Sequence, residues 1–192
     1  NNQIRKLDVN TAASDPSWSP VQTSSVVYDM ELDNSNGFVY FGGFFQNVNS
    51  QTRNRIARVA RTSGVLDAWN PNANDVVRAL ALDGAGSIFV GGSFTNINGV
   101  ARTRLAKVST GAAATVDPGF SADANGDVRA MLIGPSNTLY VGGTFTSISG
   151  LGRPGFVRLS STGAPAPTWN TFLQSFYVYA LQNAPGGLYV GG

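Results

Sequence analysis

The feature that most constrains this chain is a Gly-Gly pair that follows an aromatic or β-branched run four times. The first glycines of these pairs recur at intervals of 49, 51 and 49 residues. Internal repeats of this length are typical of folds that stack one supersecondary unit many times. The four pairs are Gly42-Gly43, Gly91-Gly92, Gly142-Gly143 and Gly191-Gly192.

Two further markers keep the same register. Aromatic residues recur 51, 51 and 49 residues apart at Trp18, Trp69, Phe120 and Trp169. An arginine lies 11 residues after the first glycine of each of the first three pairs, at Arg53, Arg102 and Arg153. We therefore predict one repetitive region, 1–192, with approximate repeats 4–53, 54–102, 103–153 and 154–192, the last of them incomplete.

Each repeat has the pattern of β structure. Residues 75–82 form an apolar run, 83–86 are a turn signal and 87–90 are a second apolar run, which together predict a hairpin. A third strand is expected at 104–109, and a short last element ends near Phe120. No segment keeps a 3.6-residue period between caps, so almost no helix is expected. A repeated four-stranded unit of about 40–50 residues predicts an all-β fold, a β-propeller of about four blades.

The repeat also resembles known families. The run Val-Arg-Ala-Leu-Ala-Leu-Asp at 77–83, followed by Ile-Phe-Val-Gly-Gly-Ser-Phe-Thr at 88–95, resembles the delta-60 repeat of secreted bacterial proteins. It is also similar to repeats of the fungal cortical marker for cell polarity and, more loosely, to kelch blades. The resemblance implies a propeller-like fold and a secreted protein, and it implies no specific activity.

The ends of the chain fall inside repeats, which leaves two interpretations of the assembly. In one, the N-terminal strand near Ile4 completes the last blade of a four-bladed ring. In the other, which we favour, the chain is a segment of a larger propeller or filament protein. Partners would then include further repeats of the same chain or self-association.

Composition excludes several function classes. The chain has neither cysteine nor histidine, which removes disulfides, the usual zinc ligands and the Ser-His-Asp triad. Its 13 Lys and Arg residues are scattered rather than clustered, which argues against nucleic-acid binding. No apolar run approaches the roughly 20 residues of a membrane helix, so no membrane insertion is expected. We predict no cofactor and no metal.

The most concentrated candidate for binding is one position on the first strand of each repeat. Large polar side chains occupy it, and in a propeller this strand lies innermost, so they are expected to ring the central channel. Alternatively, they lie between blades with their polar ends bonded to neighbouring backbone. The four residues are Tyr28, Arg78, Arg129 and Tyr179.

The segments after the Gly-Gly pairs form a second candidate. They are polar, uncharged and rich in Asn and Ser, which suits contact with a glycan or a protein but equally suits ordinary turns. The candidate residues are Asn47, Asn49, Asn96, Asn98, Ser147 and Ser149.

Other charged positions have more ordinary interpretations. Arg53, Arg102 and Arg153 suggest an anion-binding ring, but we favour a structural role in which they bond loop carbonyls or an aspartate between blades. The third-strand cations are expected on a solvated outward face. They are Lys6, Arg58, Lys107 and Arg158.

The acidic residues offer weaker candidates. Residues 33–37 have a calcium-like composition, but their spacing favours a hairpin turn. Asp75 and Asp127 precede inner strands and could face each other as a pair of catalytic carboxylates, although a role at the start of these strands is favoured.

Three functions are carried forward from the sequence. The first is a non-catalytic, extracellular or cell-surface module that binds a protein or a glycan, based on the low charge of 12%, the polar loops and the family resemblance. The second is a structural repeat of a surface fibre. The third is a propeller hydrolase or lyase acting on polysaccharide. We predict the first, and therefore no enzymatic activity.

Overall fold

A computed structural model of the chain describes residues 2–169 and 177–192. Within them the chain is built of short antiparallel strands, and its one helical element is a single 3-10 turn at Pro135–Asn137. The predicted repeat 154–192 includes residues 170–176, which lie outside the described ranges. In chain order the strands are β1 (Asn2–Ile4), β2 (Val21–Thr23), β3 (Val27–Asp33), β4 (Phe38–Gly43), β5 (Asn47–Val48), β6 (Gln51–Thr52), β7 (Ile56–Ala60), β8 (Val77–Leu82), β9 (Ser87–Gly92), β10 (Asn96–Ile97), β11 (Val100–Ala101), β12 (Leu105–Ser109), β13 (Val128–Ile133), β14 (Leu139–Gly143), β15 (Ser147–Ile148), β16 (Leu151–Gly152), β17 (Phe156–Leu159), β18 (Ala180–Ala184) and β19 (Gly187–Gly191).

The longer strands of each repeat form one antiparallel sheet, or blade, and the short strands form separate small sheets, one of them four-stranded with the order β1-β2-β5-β6. The first three blades have the strand orders β3-β4-β7, β8-β9-β12 and β13-β14-β17, and β18-β19 form the hairpin of a fourth. The outermost strand expected from the sequence is reduced to a single bridge in each complete blade, for example between Val108 and Val116. In the third blade this bridge falls on Pro165, which has no N–H to extend a ladder.

Successive blades pack through their inner strands, β3 on β8, β8 on β13, and β13 on β18. The first glycines of the first three Gly-Gly pairs lie at this contact. A Cβ on Gly42, Gly91 or Gly142 would overlap a valine γ-methyl of the next blade, from Val77, Val128 or Val178 respectively. The glycines therefore let neighbouring sheets approach more closely than any other residue would allow.

The hydrophobic core lies between blades rather than within one. Trp69 is fully buried against the edge of Tyr40, with ring centroids 5.2 Å apart. Its indole Nε1–H also donates to the Ser109 carbonyl of the next blade at 3.0 Å. At the equivalent place Phe120 packs on Phe89 with ring centroids 5.3 Å apart. The repeated aromatic thus fills the gap between sheets.

The segments after the Gly-Gly pairs fold as small hairpins rather than open loops. These hairpins are β5-β6, β10-β11 and β15-β16. Both residues of each tip have positive φ, as at Asn98 (50°) and Gly99 (75°), which is the pattern of a type I′ turn. Each hairpin also pairs with the segment before its own inner strand, as in the bridge from Ala73 to Ile97.

Candidate functional site

Three of the four inner-strand candidates lie at irregularities in strand pairing. The register of β3 against β4 shifts between Val27 and Asp29, so Tyr28 is the additional residue. Arg78 and Arg129 occupy the same place in β8 and β13. A bulge of this kind turns its side chain away from the regular alternation and is frequent next to functional sites.

These residues form one row across the four blades, here called the inner-strand row: Tyr28, Arg78, Arg129 and Tyr179. The Arg78 guanidinium carbon lies 5.3 Å from the Tyr28 ring centroid, and that of Arg129 lies 5.2 Å from the Tyr179 ring. All four side chains line one cavity of about 250 Å³. The structure therefore brings together the residues that the sequence assigned to a common channel.

A carboxylate lies between the two arginines. Asp127 Oδ2 is 3.4 Å from Arg78 Nε and 3.3 Å from Arg129 Nη2. Asp127 Oδ1 is 4.0 Å from Arg104 Nε, and the backbone of Arg104 has a φ of 67°. One negative charge thus faces three guanidinium groups.

Two more acidic residues lie on β3. Asp29 also lines the cavity, and its carboxylate accepts a hydrogen bond from the Leu80 N–H of the next blade at 2.7 Å. Burial raises the pKa of Asp29. Burial, and secondarily the charge of Asp29, raises the pKa of Glu31 to about 7. Neither Asp29 nor Glu31 was identified as a site residue from the sequence, since a contact such as that of Asp29 with the Leu80 N–H comes from another blade and no local pattern indicates it.

The arrangement of the row combines two kinds of recognition. Guanidinium groups bind carboxylates, sulfates and phosphates through charge-assisted hydrogen bonds. The rings of Tyr28 and Tyr179, which are 51% and 49% exposed, offer flat apolar surface with a polar end. The row can therefore hold a ligand that has both a charged group and an apolar face.

The hairpin candidates are placed elsewhere, and none of them lines the cavity at the inner-strand row. Asn49 Oδ1 accepts a hydrogen bond from the Gln22 N–H at 2.8 Å, and Asn98 Nδ2 donates to the Ala114 carbonyl at 2.9 Å. These two amides hold the hairpins in place. The side chain of Asn47 is exposed, Asn96 and Ser147 are half-buried, and Ser149 is exposed.

The repeated arginines after the hairpins bond to backbone carbonyls. Arg53 Nη2 donates to the Asp67 carbonyl at 2.9 Å, and Arg102 Nη2 donates to the Asp117 carbonyl at 3.2 Å. Arg153 Nη1 donates to the carbonyl of Gly152 at 2.8 Å. The contacts of Arg53 and Arg102 tie their hairpins to the outer part of the same blade rather than to another blade, and that of Arg153 stays within its own hairpin.

The prediction that the third-strand cations lie on a solvated face is wrong for Arg58 and Lys107. Arg58 is only 6% exposed, its guanidinium carbon lies 3.9 Å from the Phe38 ring centroid, and Nε is 2.8 Å from Asp67 Oδ1. Its Nη1 reaches the Thr110 carbonyl of the next blade. The side chain of Lys107 is 13% exposed and pairs with Asp83. Both faces of the third strand are covered by other parts of the protein. The alternation of charged and apolar residues along it therefore did not indicate a face exposed to solvent.

The remaining third-strand cations are less enclosed. Lys6 is exposed and its Nζ lies 2.7 Å from Asp15 Oδ2. The Arg158 guanidinium carbon lies 5.7 Å from the Trp169 ring centroid.

The acidic candidates are engaged by the protein itself. The Asp33 carboxylate accepts hydrogen bonds from the N–H groups of Ser35 and Asn36 and from the Asn36 amide, all within its own turn. Asp75 Oδ1 accepts from the Val76 N–H at 2.7 Å. Within the described ranges, no group of three or more acidic side chains is placed to hold a metal ion, and no helix has the length and apolarity to cross a membrane.

The comparisons with known proteins agree with this architecture. Three segments, 35–68, 86–111 and 134–168, match the family model described as "Domain of unknown function (DUF5122) beta-propeller". Each begins in or beside the turn between the first two strands of a blade and extends past its third strand. A search of curated proteins found no match. The matched segments, the all-β fold and the stacked blades together establish that the chain is a β-propeller repeat protein.

Proposed function

We propose that the chain is a non-catalytic module, displayed outside the cell or at its surface, that binds a glycan or a protein. The observation that carries this proposal is the inner-strand row, where side chains from four successive blades line one cavity. Contacts between glycines and valines hold the strands of the row in a fixed relation. A site built on a rigid scaffold loses little conformational entropy when it binds.

The state of the acidic residues supports a binding role over catalysis. A glycosidase needs two carboxylates that face the scissile bond, one as acid and one as nucleophile or base. Asp127 instead faces three arginines, and Asp75 bonds to the backbone at the start of its own strand. An extracellular location is supported by the low share of charged residues and by the resemblance of the repeat to the delta-60 repeat of secreted bacterial proteins.

The test combines a glycan array with a pull-down from cell-surface extract, using the whole chain. Tyr28→Ala and Tyr179→Ala remove the aromatic ends of the row. Tyr189→Ala is the matched control, because Tyr189 is 71% exposed and does not line the cavity. A ligand that binds the wild type and the control but neither row variant supports the proposal. Empty results in both assays, or a ligand indifferent to the row, would overturn it.

A second candidate, a structural repeat of a surface fibre, is favoured by one exposed apolar face. Met30 and Leu32 on β3 are 53% and 50% exposed, whereas Leu80, at the position of Met30 in the next repeat, is 1% exposed beneath the preceding blade. We propose that a blade from a second copy covers this face. Sedimentation should then show association that Met30→Lys abolishes and Val9→Lys, at a 94% exposed site, leaves intact. A monomer at all concentrations would contradict the fibre.

A further inference from the structure

We infer that the ligand of the inner-strand row is a carboxylated saccharide, of the uronic acid type, with its carboxylate against Arg78 and Arg129. This inference rests on the proposed binding function and adds the chemical class of the ligand. It follows from the free hydrogen-bonding capacity of the arginines, the position of Asp127, the tyrosines at the ends of the row and the size of the cavity.

Both arginines have guanidinium N–H groups that the described part of the protein leaves without an acceptor. Arg78 uses Nε toward Asp127 and Ser93, and neither of its Nη atoms has a protein partner among residues 2–169 and 177–192. Arg129 uses Nη2 toward Asp127, and its Nη1 has no protein partner in the same ranges. The side chains of Arg78 and Arg129 are 24% and 33% exposed, and both residues line the cavity. A planar carboxylate matches the paired N–H groups of such a fork.

Asp127 sets the charge that a ligand meets. Its Oδ2 atom lies 3.4 Å from Arg78 Nε and 3.3 Å from Arg129 Nη2, and this shared contact holds the two arginines close together. Without it, the two like charges would repel each other. With it, one positive charge remains uncompensated between these three groups; Arg104 adds a second, and the Asp29 carboxylate in the cavity lining offsets one of the two. The site therefore favours an anion over a neutral or cationic group.

The tyrosines define the rest of the ligand. Tyr28 and Tyr179 lie at opposite ends of the row, each with an arginine over its ring, and each residue is about half exposed. The C–H face of a sugar ring is an apolar surface that can pack on such a ring, while its hydroxyl groups remain in water. A cavity of about 250 Å³ is smaller than the 300–1,000 Å³ of drug-sized sites, which suits one sugar unit at a time.

The test uses oligogalacturonate, its neutral methyl ester and monomeric galacturonate as probes, with binding measured by calorimetry. The acid should bind at least tenfold more tightly than the ester, and binding should weaken as salt is raised. The oligomer and the monomer distinguish a polymer ligand from a free sugar acid. Arg78→Gln and Arg129→Gln should each weaken acid binding by tenfold or more, because each removes a charge-assisted contact.

Two controls separate the site from general charge effects. Arg61→Gln removes the same charge from an exposed arginine that does not line the cavity, and it should leave acid binding within twofold. Asp127→Asn removes the competing charge but keeps a side-chain oxygen that can accept from both arginines, so it should strengthen acid binding severalfold without affecting the ester. Circular dichroism of each variant confirms that the blades remain folded.

The outcomes distinguish this inference from the proposed function. Acid binding that depends on Arg78 but not on Arg61 supports it. Equal binding of acid and ester, or equal loss in Arg78→Gln and Arg61→Gln, overturns the inference while leaving a binding role for the row. If neither a saccharide nor a surface protein binds in a way that depends on the row, both the inference and the proposed function fail.

Discussion

The contact between the first glycine of a repeat and the next blade makes a quantitative prediction for Gly91→Ala. An added Cβ would overlap a γ-methyl of Val128 and lie 3.2 Å from Met131 Sδ. Both neighbours belong to the inner strand of the following blade. The methionine can move, but Val128 is fully buried and β-branched, so the overlap must be relieved by separating the blades.

The size of the effect follows from two opposing contributions. Overpacking a filled core costs about 1–3 kcal/mol. Replacing glycine by alanine also restricts the unfolded chain, which stabilises by about 0.4–1 kcal/mol. We therefore expect Gly91→Ala to lower the free energy of unfolding by about 1–2 kcal/mol. Gly152→Ala is the matched control, because its Cβ would meet nothing within 4 Å and its φ is not positive. We expect that variant to change stability by less than about 0.5 kcal/mol or to gain slightly.

Urea unfolding followed by tryptophan fluorescence measures both variants, and a double-mutant cycle isolates the contact. Val128→Ala removes the clashing methyl groups and should itself cost about 2 kcal/mol by leaving a cavity. The double variant Gly91→Ala/Val128→Ala should be at least about 1 kcal/mol more stable than the sum of the single effects predicts. Equal stabilities for Gly91→Ala and Gly152→Ala, or strict additivity in the cycle, would refute the argument that this glycine sets blade spacing.

Three further substitutions test other contacts. Glu31→Gln should be more stable than the wild type by about 1–2 kcal/mol at pH 8, after discounting for partial exposure, and not at pH 4. The reason is that the raised pKa of about 7 makes Glu31 favour folding only while protonated, so its contribution is lost as pH rises from about 4.5 through 7. Denaturation across this pH range measures the difference, and parallel curves would contradict it. Trp69→Phe should cost about 1–3 kcal/mol in thermal unfolding, because it leaves the Ser109 carbonyl without its indole partner. No loss would contradict that role. Arg58→Met should lower the free energy of unfolding in urea by about 2–3 kcal/mol, because it leaves Asp67 without the arginine that it pairs with. A variant more stable than the wild type would contradict this role of the pair.

The repeat itself was predictable from the sequence because its markers are backbone requirements. A glycine that must admit the next blade, and an aromatic that must fill the gap behind it, recur wherever the geometry recurs. Gly42, Gly91 and Gly142 accordingly occupy the same contact in three successive blades. The strand pairs that flank them were predictable for the same reason, since each has apolar residues on both sides of a turn.

The errors have a different origin. The small hairpins have strands of two residues, too short for any alternation to appear, and only the positive φ values at their tips reveal them. The third strand was expected to face solvent because Arg58 and Lys107 interrupt an apolar run. Their charges are instead matched by Asp67 and Asp83, and aromatic rings cover Arg58. These partners come from other segments of the chain, so no local pattern could indicate them.

The inner-strand row was predictable from the sequence only in part. Register alone placed Tyr28, Arg78, Arg129 and Tyr179 at one position, because residues spaced by a repeat must occupy equivalent places around the propeller. The shift in strand pairing that directs three of them into the cavity left no mark in the sequence. Nor did the sequence show that Asp127, considered as a catalytic carboxylate, would lie against the arginines. The repeat in the sequence therefore predicts which side chains lie together. The charge of the site they form depends in addition on Asp127, which the repeat does not predict.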